Sequence, residues 1–309
     1  MAYYPQRNKR PLSIGEDGNA LVMLIAVLMM VFVIFTFIKI IYFFTYGGQP
    51  GASVYERNVL PWVTLPSTLS VFLTRPWTLI THMFMHAGVW HLVGNLIWLW
   101  TFGYILQDLA GNRKIIPIFL YGGLAGGIVF VLSFSFIPAL RDLHTSSALG
   151  ASAGVMAIAI ATTVMAPDYR IFPMLNGGIP LWILTAVFVL IDLGLFADSN
   201  SGGHLAHLAG AGTGFLFMHQ LQRGRDWSTW MTNSWDWMRD LFNPDKPKKG
   251  KSRKDELFYK ATVPPFKKKG GLSQQRVDEI LEKIHHKGFN SLTEEEKEIL
   301  KKASESGLE

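Results

Sequence analysis

The sequence predicts an all-α membrane protein, a bundle of six transmembrane helices followed by a cytoplasmic C-terminal tail. The chain of 309 residues is 49% hydrophobic but only 17% charged, whereas soluble domains carry ~25% charged residues. Residues 20–38 include no charged side chain, and a helix of ~20 apolar residues is long enough to cross the ~30 Å hydrocarbon core of a bilayer. Further apolar segments follow, separated by polar or Gly- and Pro-rich loops.

The predicted spans follow the apolar segments in chain order. The first continues through Lys39 to residue 46 and is too long for a cleaved signal peptide, so we expect an uncleaved first helix. Residues 47–80 are too many for a bare connector and include half-apolar stretches, which predicts that they lie in the membrane interface. The other predicted spans are residues 84–106, 115–137, 152–167, 181–196 and 204–221.

The distribution of Lys and Arg predicts the orientation of these spans. An even number of spans places both termini on one side of the membrane. Basic residues are concentrated in the two tails and in the turn at residues 107–114, and cytoplasmic segments carry the excess of Lys and Arg. Both termini are therefore predicted to be cytoplasmic. The net charge of +6 fits the inner face of a membrane rather than a nucleic-acid partner.

The composition also changes along the chain and predicts its domain organisation. Trp and Met residues between 227 and 241 share one helical face, which is typical of a helix in the membrane interface. Near the C-terminus, Gly288 is predicted to end one short helix, and Ser291 with Glu294 forms a capping box for the next. The predicted parts are a cytoplasmic N-terminal tail (1–19), a six-helix domain (20–222), an interfacial helix with a basic linker (223–271) and a small helical module (272–309).

Four polar residues in apolar segments are the candidates for chemistry. In the predicted topology the second, fourth and sixth spans run inward from the outer face, and His91, Asn95, Ser152 and His207 lie in their first turns. At 1.5 Å per residue these side chains lie roughly 5–15 Å below the outer surface. Polar groups at that depth face a bundle interior or a wet cavity. A shared cavity that opens to the outer side is therefore predicted.

Small residues predict which of these helices touch. Gly210 and Gly214 on the sixth span, and alanines on the fourth, allow two helix backbones to approach closely. This contact would bring Ser152 against His207, and a serine becomes a nucleophile when a neighbouring histidine accepts its proton. A helix N-terminus at Ser152 favours developing negative charge. Because the chain has no cysteine, disulfides and thiolate chemistry are excluded.

Four motifs resemble the rhomboid family of intramembrane serine proteases across about residues 80–217. They occur along the chain in the same order as in the family. They are Gly150-Ala-Ser152-Ala, the segment from Ala206 to Gly214, the histidine pair His82 and His86 with His91-Leu-Val-Gly-Asn95, and the segment at Trp77.

The resemblance implies a role for each matching residue. Ser152 is implied as the nucleophile and His207 as the general base of a dyad with no acid, while His91, Asn95 and the Ser152 amide are implied as the oxyanion hole. The residues implied to be structural near the site are His86, Gly150, Gly210 and Gly214.

The sequence departs from the family pattern at three places. The family's Trp-Arg pair is Trp77-Thr78, the acidic residue at the end of the second span is Gln107, and the aromatic that stacks on the histidine is Met156. These departures concern the anchoring of the first loop and the orientation of His207, and none of them removes a catalytic group.

The function implied by the resemblance is a serine endopeptidase that cleaves transmembrane protein substrates within the lipid bilayer, with no metal or other cofactor. Spans two and five would form the substrate access, and the loop at residues 198–203 would cap the site. The C-terminal module resembles extensions of some bacterial rhomboids, so we expect a multi-pass protein of the bacterial cytoplasmic (inner) membrane.

Two alternatives remain open from the sequence. One is a catalytically silent rhomboid-like protein that binds transmembrane helices, although such relatives usually lack the serine or the histidine. The other is a metal enzyme, because His82 with His86 and His204 with His207 have metal-ligand spacing. No Glu follows His82 as the HExxH motif requires.

Overall fold

The computed structural model describes residues 19–141, 147–172, 174, 177–194, 201–241 and 274–305. They belong to two compact units, which divide between Phe242 and Asn243. The helices of the first unit are α1 (Ala20–Thr45), α2 (Gln49–Asn58), α3 (Leu69–Thr74), α4 (Thr78–Thr81), α5 (Val89–Ala110), α6 (Ile115–Phe136), α7 (Pro138–Arg141), α8 (Ser152–Met165), α9 (Leu181–Gly194), α10 (Ser201–Gln222) and α11 (Thr229–Leu241).

The protein is an integral membrane protein and mostly helical. Three segments are long and apolar enough to cross a bilayer, namely α1, α5, and α6 together with the turn before it (Asn112–Phe136). Helices α8 and α9 are shorter and also apolar. The outward face of α1 leaves Val33, Phe37 and Phe44 63%, 63% and 78% exposed, as expected of side chains that contact lipid.

Two short antiparallel strand pairs accompany the helices, so the prediction of an all-α fold needs this qualification. Strand β1 (Leu65–Pro66) pairs with β2 (Ser147–Ala148), and β3 (Arg170–Ile171) pairs with β4 (Ile179–Pro180). The first pair ties the segment before α3 to the chain that enters α8.

Helix α8 lies at the centre of the first unit and owes this position to small residues. On one side, a Cβ added to Gly122 of α6 would lie 2.3 Å from the Ala157 Cβ. On the other, a Cβ added to Gly210 or Gly214 of α10 would lie 2.2 Å from Ala153 O or 2.1 Å from Ala157 O. Because only glycine permits these approaches, the contact between the fourth and sixth predicted spans is present as the spacing predicts.

The second predicted span begins later than expected. Hydropathy predicts a helix from residue 84, but His82–Phe84 form a 3₁₀ turn, and α5 begins only at Val89. The His82 carbonyl accepts a hydrogen bond from the Gly150 N–H at 2.9 Å. This long-range contact holds the backbone before α5 in a non-helical path, which local hydropathy does not record.

Several predicted segments lie wholly or partly outside the described residues. They are most of the N-terminal tail, the loop at residues 138–147, the cap at residues 198–203 and the basic linker at residues 243–271. Helix α10 begins at Ser201, so the end of the predicted cap belongs to a helix.

The segment between α1 and α5 is anchored by aromatic and guanidinium contacts. The rings of Trp62 and Trp77 stack at 6.1 Å, and the Trp77 Nε1 donates to Trp62 O at 2.9 Å. The Arg75 guanidinium lies 4.3 Å from the centre of the Trp62 ring and donates to Pro61 O at 2.9 Å. An arginine two residues before Trp77 thus anchors this segment, while Thr78 lies fully buried.

Helix α11 is attached to α6 and exposes an aromatic face. The Tyr121 hydroxyl donates to Trp227 O at 3.0 Å and accepts from Trp230 Nε1 at 2.5 Å. The Lys114 ammonium contacts the Asp226 carboxylate. Burial acts to raise the pKa of Asp226, but hydrogen bonds from Lys114 and Ser228 outweigh it and hold that pKa below its ordinary value.

The second unit contains α12 (Gln274–Lys287) and α13 (Glu294–Glu305). Gly288, with φ +78°, ends α12 as predicted. The predicted capping box of Ser291 and Glu294 is wrong by two residues. The Thr293 N–H donates to Glu296 Oε2 at 2.9 Å, and the Glu296 N–H donates to Thr293 Oγ1 at 3.3 Å. Ser291 with Glu294 and Thr293 with Glu296 both have the three-residue spacing of a capping box. Because Ser291 belongs to a 3₁₀ turn, the helix begins after Thr293.

Candidate active site

Ser152 begins α8 at the end of a loop that passes close to α5. Gly150 has φ +131°, a region that side chains with a Cβ rarely adopt. A Cβ at this position would lie 2.9 Å from His91 Nε2. Glycine therefore allows the loop to lie against the His91 ring and directs the chain into the first turn of α8.

The Ser152 hydroxyl contacts the His207 ring. Ser152 Oγ lies 2.6 Å from His207 Nε2, which is hydrogen-bonding distance. The two residues are 55 positions apart, and they meet because Gly210 lets α10 lie directly on Ala153 of α8. The structure thus brings together the two residues that the sequence singled out.

The other nitrogen of His207 contacts a carboxylate that sequence reasoning missed. His207 Nδ1 lies 2.5 Å from Asp192 Oδ1, and His204 Nδ1 lies 2.8 Å from the same oxygen. Asp192 is only 6% exposed. The resemblance led us to expect a serine and a histidine without an acid, and this contact places a carboxylate beside that pair. Asp192 is the one charged residue of α9, and an ionisable residue within an apolar span is itself a signal of function.

His91 and Asn95 lie in the same cavity as Ser152 and His207. The cavity has a volume of about 540 Å³, and all four residues line it. The Asn95 side-chain amide donates to His91 O at 2.9 Å. An amide nitrogen carries two hydrogens, so this bond occupies one of them. Asn95 is nearly buried, with 7% of its surface exposed.

His86 lies behind His91 rather than in the cavity lining. The two rings are 5.1 Å apart and nearly perpendicular. Among the described residues, neither ring nitrogen of His86 has a hydrogen-bond partner. His86 thus contacts a cavity residue through its ring, and His82 holds the preceding turn by donating from Nδ1 to Thr78 O at 2.9 Å.

Helices α5 and α9 meet at an aromatic contact beside the cavity. The rings of Trp98 and Phe188 stack at 4.4 Å with an interplanar angle of 7°, and both residues line the cavity. Helix α9 is also tied to α8 by a hydrogen bond between the hydroxyls of Thr163 and Thr185. A ring stack therefore joins the two helices between which substrate access is predicted.

Asp192, His204 and His207 also have the geometry of a possible metal site. One ligand atom from each residue lies within 4.8 Å of the others, and two histidines with a carboxylate are a ligand set that zinc accepts. This group includes the predicted pair His204 and His207 but neither His82 nor His86. The same contacts are ordinary hydrogen bonds between imidazole N–H donors and a carboxylate.

Comparison with known families assigns the membrane unit and the tail separately. Residues 73–223 match the Rhomboid domain family. Residues 266–306 match a family of unknown function (DUF6576). Every cavity residue named above lies in the first match, and α12 and α13 lie in the second.

Individual relatives match this chain over stretches of different lengths. RHOMBOID-like protein 12, mitochondrial, of Arabidopsis thaliana is 26% identical over 158 residues, 48% of this chain and 47% of the relative. Rhomboid-related protein 1 of Caenorhabditis elegans is 29% identical over 195 residues, 57% and 51% of the two chains. Rhomboid protease GlpG of Salmonella newport is 31% identical over 74 residues, 24% and 26%.

These matches span about half or less of the length of the relatives. The name of the Arabidopsis protein places that relative in mitochondria, so the relatives do not support the predicted bacterial inner membrane. The domain match at residues 73–223, the helical membrane unit and the motif order all agree. Residues 73–223 therefore form a rhomboid-family domain.

Proposed function

We propose that this protein is an intramembrane serine endopeptidase that hydrolyses peptide bonds in or near transmembrane segments of other proteins. The observation that carries the proposal is the 2.6 Å contact between Ser152 Oγ and His207 Nε2 in a cavity also lined by His91 and Asn95. A hydroxyl hydrogen-bonded to an imidazole, with amide and imidazole donors close by, is the arrangement that acyl transfer requires.

The mechanism follows from these positions. Ser152 Oγ attacks the scissile carbonyl carbon while His207 Nε2 takes the hydroxyl proton. The carbonyl oxygen becomes an oxyanion, and the Ser152 N–H at the start of α8, His91 and Asn95 supply donors for it. His207 then gives its proton to the leaving nitrogen, and the C–N bond breaks. Water, deprotonated by His207, then attacks the acyl carbon, the bond from that carbon to Oγ breaks, and His207 returns the proton to Ser152 Oγ.

The predicted topology supports the choice of substrate. Six spans with both termini cytoplasmic would open the cavity towards the outer side, a few turns below the surface. A helical substrate must unwind to expose a carbonyl, because its backbone groups are internally bonded. Substrate segments with Gly or Pro, which favour helix least, are therefore the expected targets.

The test compares cleavage and labelling in purified protein. In detergent, the wild type is expected to cleave a model transmembrane substrate and to react with a fluorophosphonate probe, which phosphonylates an activated serine. Ser152→Ala and His207→Ala should lose both reactions and keep their thermal melting. Ser53→Ala, on an exposed part of α2, and His219→Ala, further along α10, are the matched controls and should keep both.

Two results would contradict the proposal. Labelling or cleavage that persists in Ser152→Ala would exclude serine chemistry. A folded wild type that neither cleaves nor labels, yet crosslinks to a transmembrane helix, would favour the silent helix-binding alternative.

A further inference from the structure

The buried carboxylate of α9 has no role in a mechanism that uses only serine and histidine. We propose that Asp192 is a positioning residue that fixes the tautomer of His207 and stabilises its protonated form, with His204 holding Asp192 in place. This inference rests on the proposed function of Ser152 and His207, and it adds a third and a fourth residue to that site.

The burial of Asp192 is the first reason. The residue is 6% exposed and lies in a helix whose other residues are uncharged. An ionised carboxylate in such surroundings is costly unless it is paired and hydrogen-bonded. Here both partners are imidazoles of α10, and both reach the same oxygen, at 2.5 Å and 2.8 Å.

The chemistry of these contacts fixes where the protons lie. An ionised carboxylate only accepts hydrogen bonds, so each imidazole that contacts it must carry its proton on Nδ1. In neutral His207 the other nitrogen, Nε2, then has a free lone pair, and this nitrogen lies 2.6 Å from Ser152 Oγ. Asp192 therefore selects the one neutral tautomer that can accept the serine proton.

The same carboxylate also stabilises the cation that forms on the His207 ring during the reaction. When the Oγ–H bond breaks and the Nε2–H bond forms, the His207 ring becomes a cation. Asp192 keeps its own negative charge beside that cation and takes no proton from it. The stabilisation then disappears as Nε2 passes its proton to the leaving nitrogen, so it acts on the transition state rather than on the bound substrate.

His204 acts through Asp192. It lies one turn before His207 on α10, so both side chains face the same way, and its ring is nearly perpendicular to that of His207 at 5.8 Å. Asp192 Oδ2 is buried and has no partner among the described residues. The carboxylate is thus held through Oδ1, where His204 supplies a bond that limits its rotation.

Two rival readings of the same residues make different predictions. If Asp192 merely ties α9 to α10, its loss lowers the melting temperature and disturbs substrate binding. If the three residues instead hold a divalent metal ion, chelation changes the activity. Hydrogen-bond positioning predicts neither effect.

The experiment measures kcat, KM, the rate of fluorophosphonate labelling and thermal melting for five variants of the full chain, one of them a control. Asp192→Asn keeps the shape and one acceptor oxygen but removes the charge. We expect kcat and the labelling rate to fall together by about 10²- to 10⁴-fold, with KM and melting unchanged. Asp192→Glu, which restores the charge, should recover part of the lost kcat. Asp236→Asn, on α11, is the matched control and should behave as the wild type.

His204 supplies the internal check. His204→Gln should lower kcat less than Asp192→Asn does. The double variant Asp192→Asn/His204→Gln should be no slower than Asp192→Asn alone, because His204 acts only through the carboxylate.

Each other outcome overturns the inference. Wild-type kcat in Asp192→Asn, additive losses in the double variant, or a loss that appears in KM and melting would exclude positioning by Asp192. A zinc chelator that alters wild-type activity would assign the three residues to a metal. The proposed function is tested by different results, because it fails if Ser152→Ala remains active or if the folded wild type neither cleaves nor labels.

Discussion

The position of Asp192 beside His207 is decided by contacts between helices. His91, Asn95, Ser152 and His207 could be singled out because each is a polar residue in the first turns of an apolar segment. Asp192 has the same character but lies near the end of its helix, and the family resemblance assigned it no role. Its function depends on which residues of α10 it meets, and that contact is decided by tertiary packing.

The proposed oxyanion donors, His91 and Asn95, are residues whose loss should slow the reaction without unfolding the protein. Asn95→Ala removes an amide that lies in the cavity with Ser152, and His91→Ala removes the neighbouring imidazole. Loss of one such donor typically costs ~2.7–4 kcal/mol, a 10²- to 10³-fold slowing. We expect the fluorophosphonate labelling rate to fall by that factor in either variant.

Because both donors would serve one oxygen, the double variant His91→Ala/Asn95→Ala should cost less than the sum of the two single changes. Melting curves provide the control for folding. Labelling at the wild-type rate in Asn95→Ala would remove it from the oxyanion hole.

At the scale of helices, hydropathy predicted most of the membrane unit to within a few residues. It predicted a span at residues 115–137 where α6 runs from Ile115 to Phe136. It failed at residues 82–88, where the turn is set by a hydrogen bond to the Gly150 loop, and at the two strand pairs, which are too short to carry a periodic pattern. Local patterns record burial, whereas these features depend on partners far along the chain.

Helix α9 belongs both to the predicted substrate access and to the contact with His207. With α5 it is predicted to form the substrate access, which would require the two helices to separate. The structure adds two contacts that such a movement must break, the Trp98–Phe188 stack and the Thr163–Thr185 hydrogen bond. Since Asp192 also lies on α9, a displacement of this helix would separate the carboxylate from His207.

Two glycines of α10 offer a matched test of the contact between α8 and α10. Gly210→Ala would place a Cβ 2.2 Å from Ala153 O, whereas Gly212→Ala meets nothing within 4 Å. The first change must push the helices apart and separate Ser152 from His207. Overpacking costs about 1–3 kcal/mol, and a displacement of ~1 Å at an active site can slow a reaction by ~10²-fold.

We therefore expect Gly210→Ala to lower the melting temperature and to reduce labelling by at least about 10²-fold. Gly212→Ala should leave both measurements unchanged or slightly improved, because alanine favours helix more than glycine does. Equal behaviour of the two variants would show that the close approach of these helices is not what sets the site.

At the scale of the whole molecule, the chain combines a membrane unit with a separately folded tail. In the tail, the Lys283 ammonium donates to Glu296 and lowers the pKa of that carboxyl to about 2. The pair therefore supports α12 and α13 above the ordinary pKa of Glu, and its contribution is lost as the pH falls towards 2. The predicted boundaries of the tail, at residues 223–271 and 272–309, stay predictions.

The contacts of the membrane unit predict where the chain can be shortened. Its buried core clusters consist of residues between Ala20 and Met218, and α11 adds the contacts to Lys114 and Tyr121 described above. A chain that ends at Phe242 keeps all of these, so it should cleave the model substrate and label at close to the full-length rate.

A chain that ends at Gln222 loses α11 and leaves Lys114 without Asp226. Because a net hydrogen bond contributes about 0.5–1.5 kcal/mol, and 1 kcal/mol shifts melting by roughly 2–4 °C in a domain of this size, the shorter chain should melt several degrees lower. Melting curves and labelling of both truncations in one detergent measure this difference. Loss of all activity in a well-folded chain ending at Phe242 would instead make the tail part of the catalytic unit.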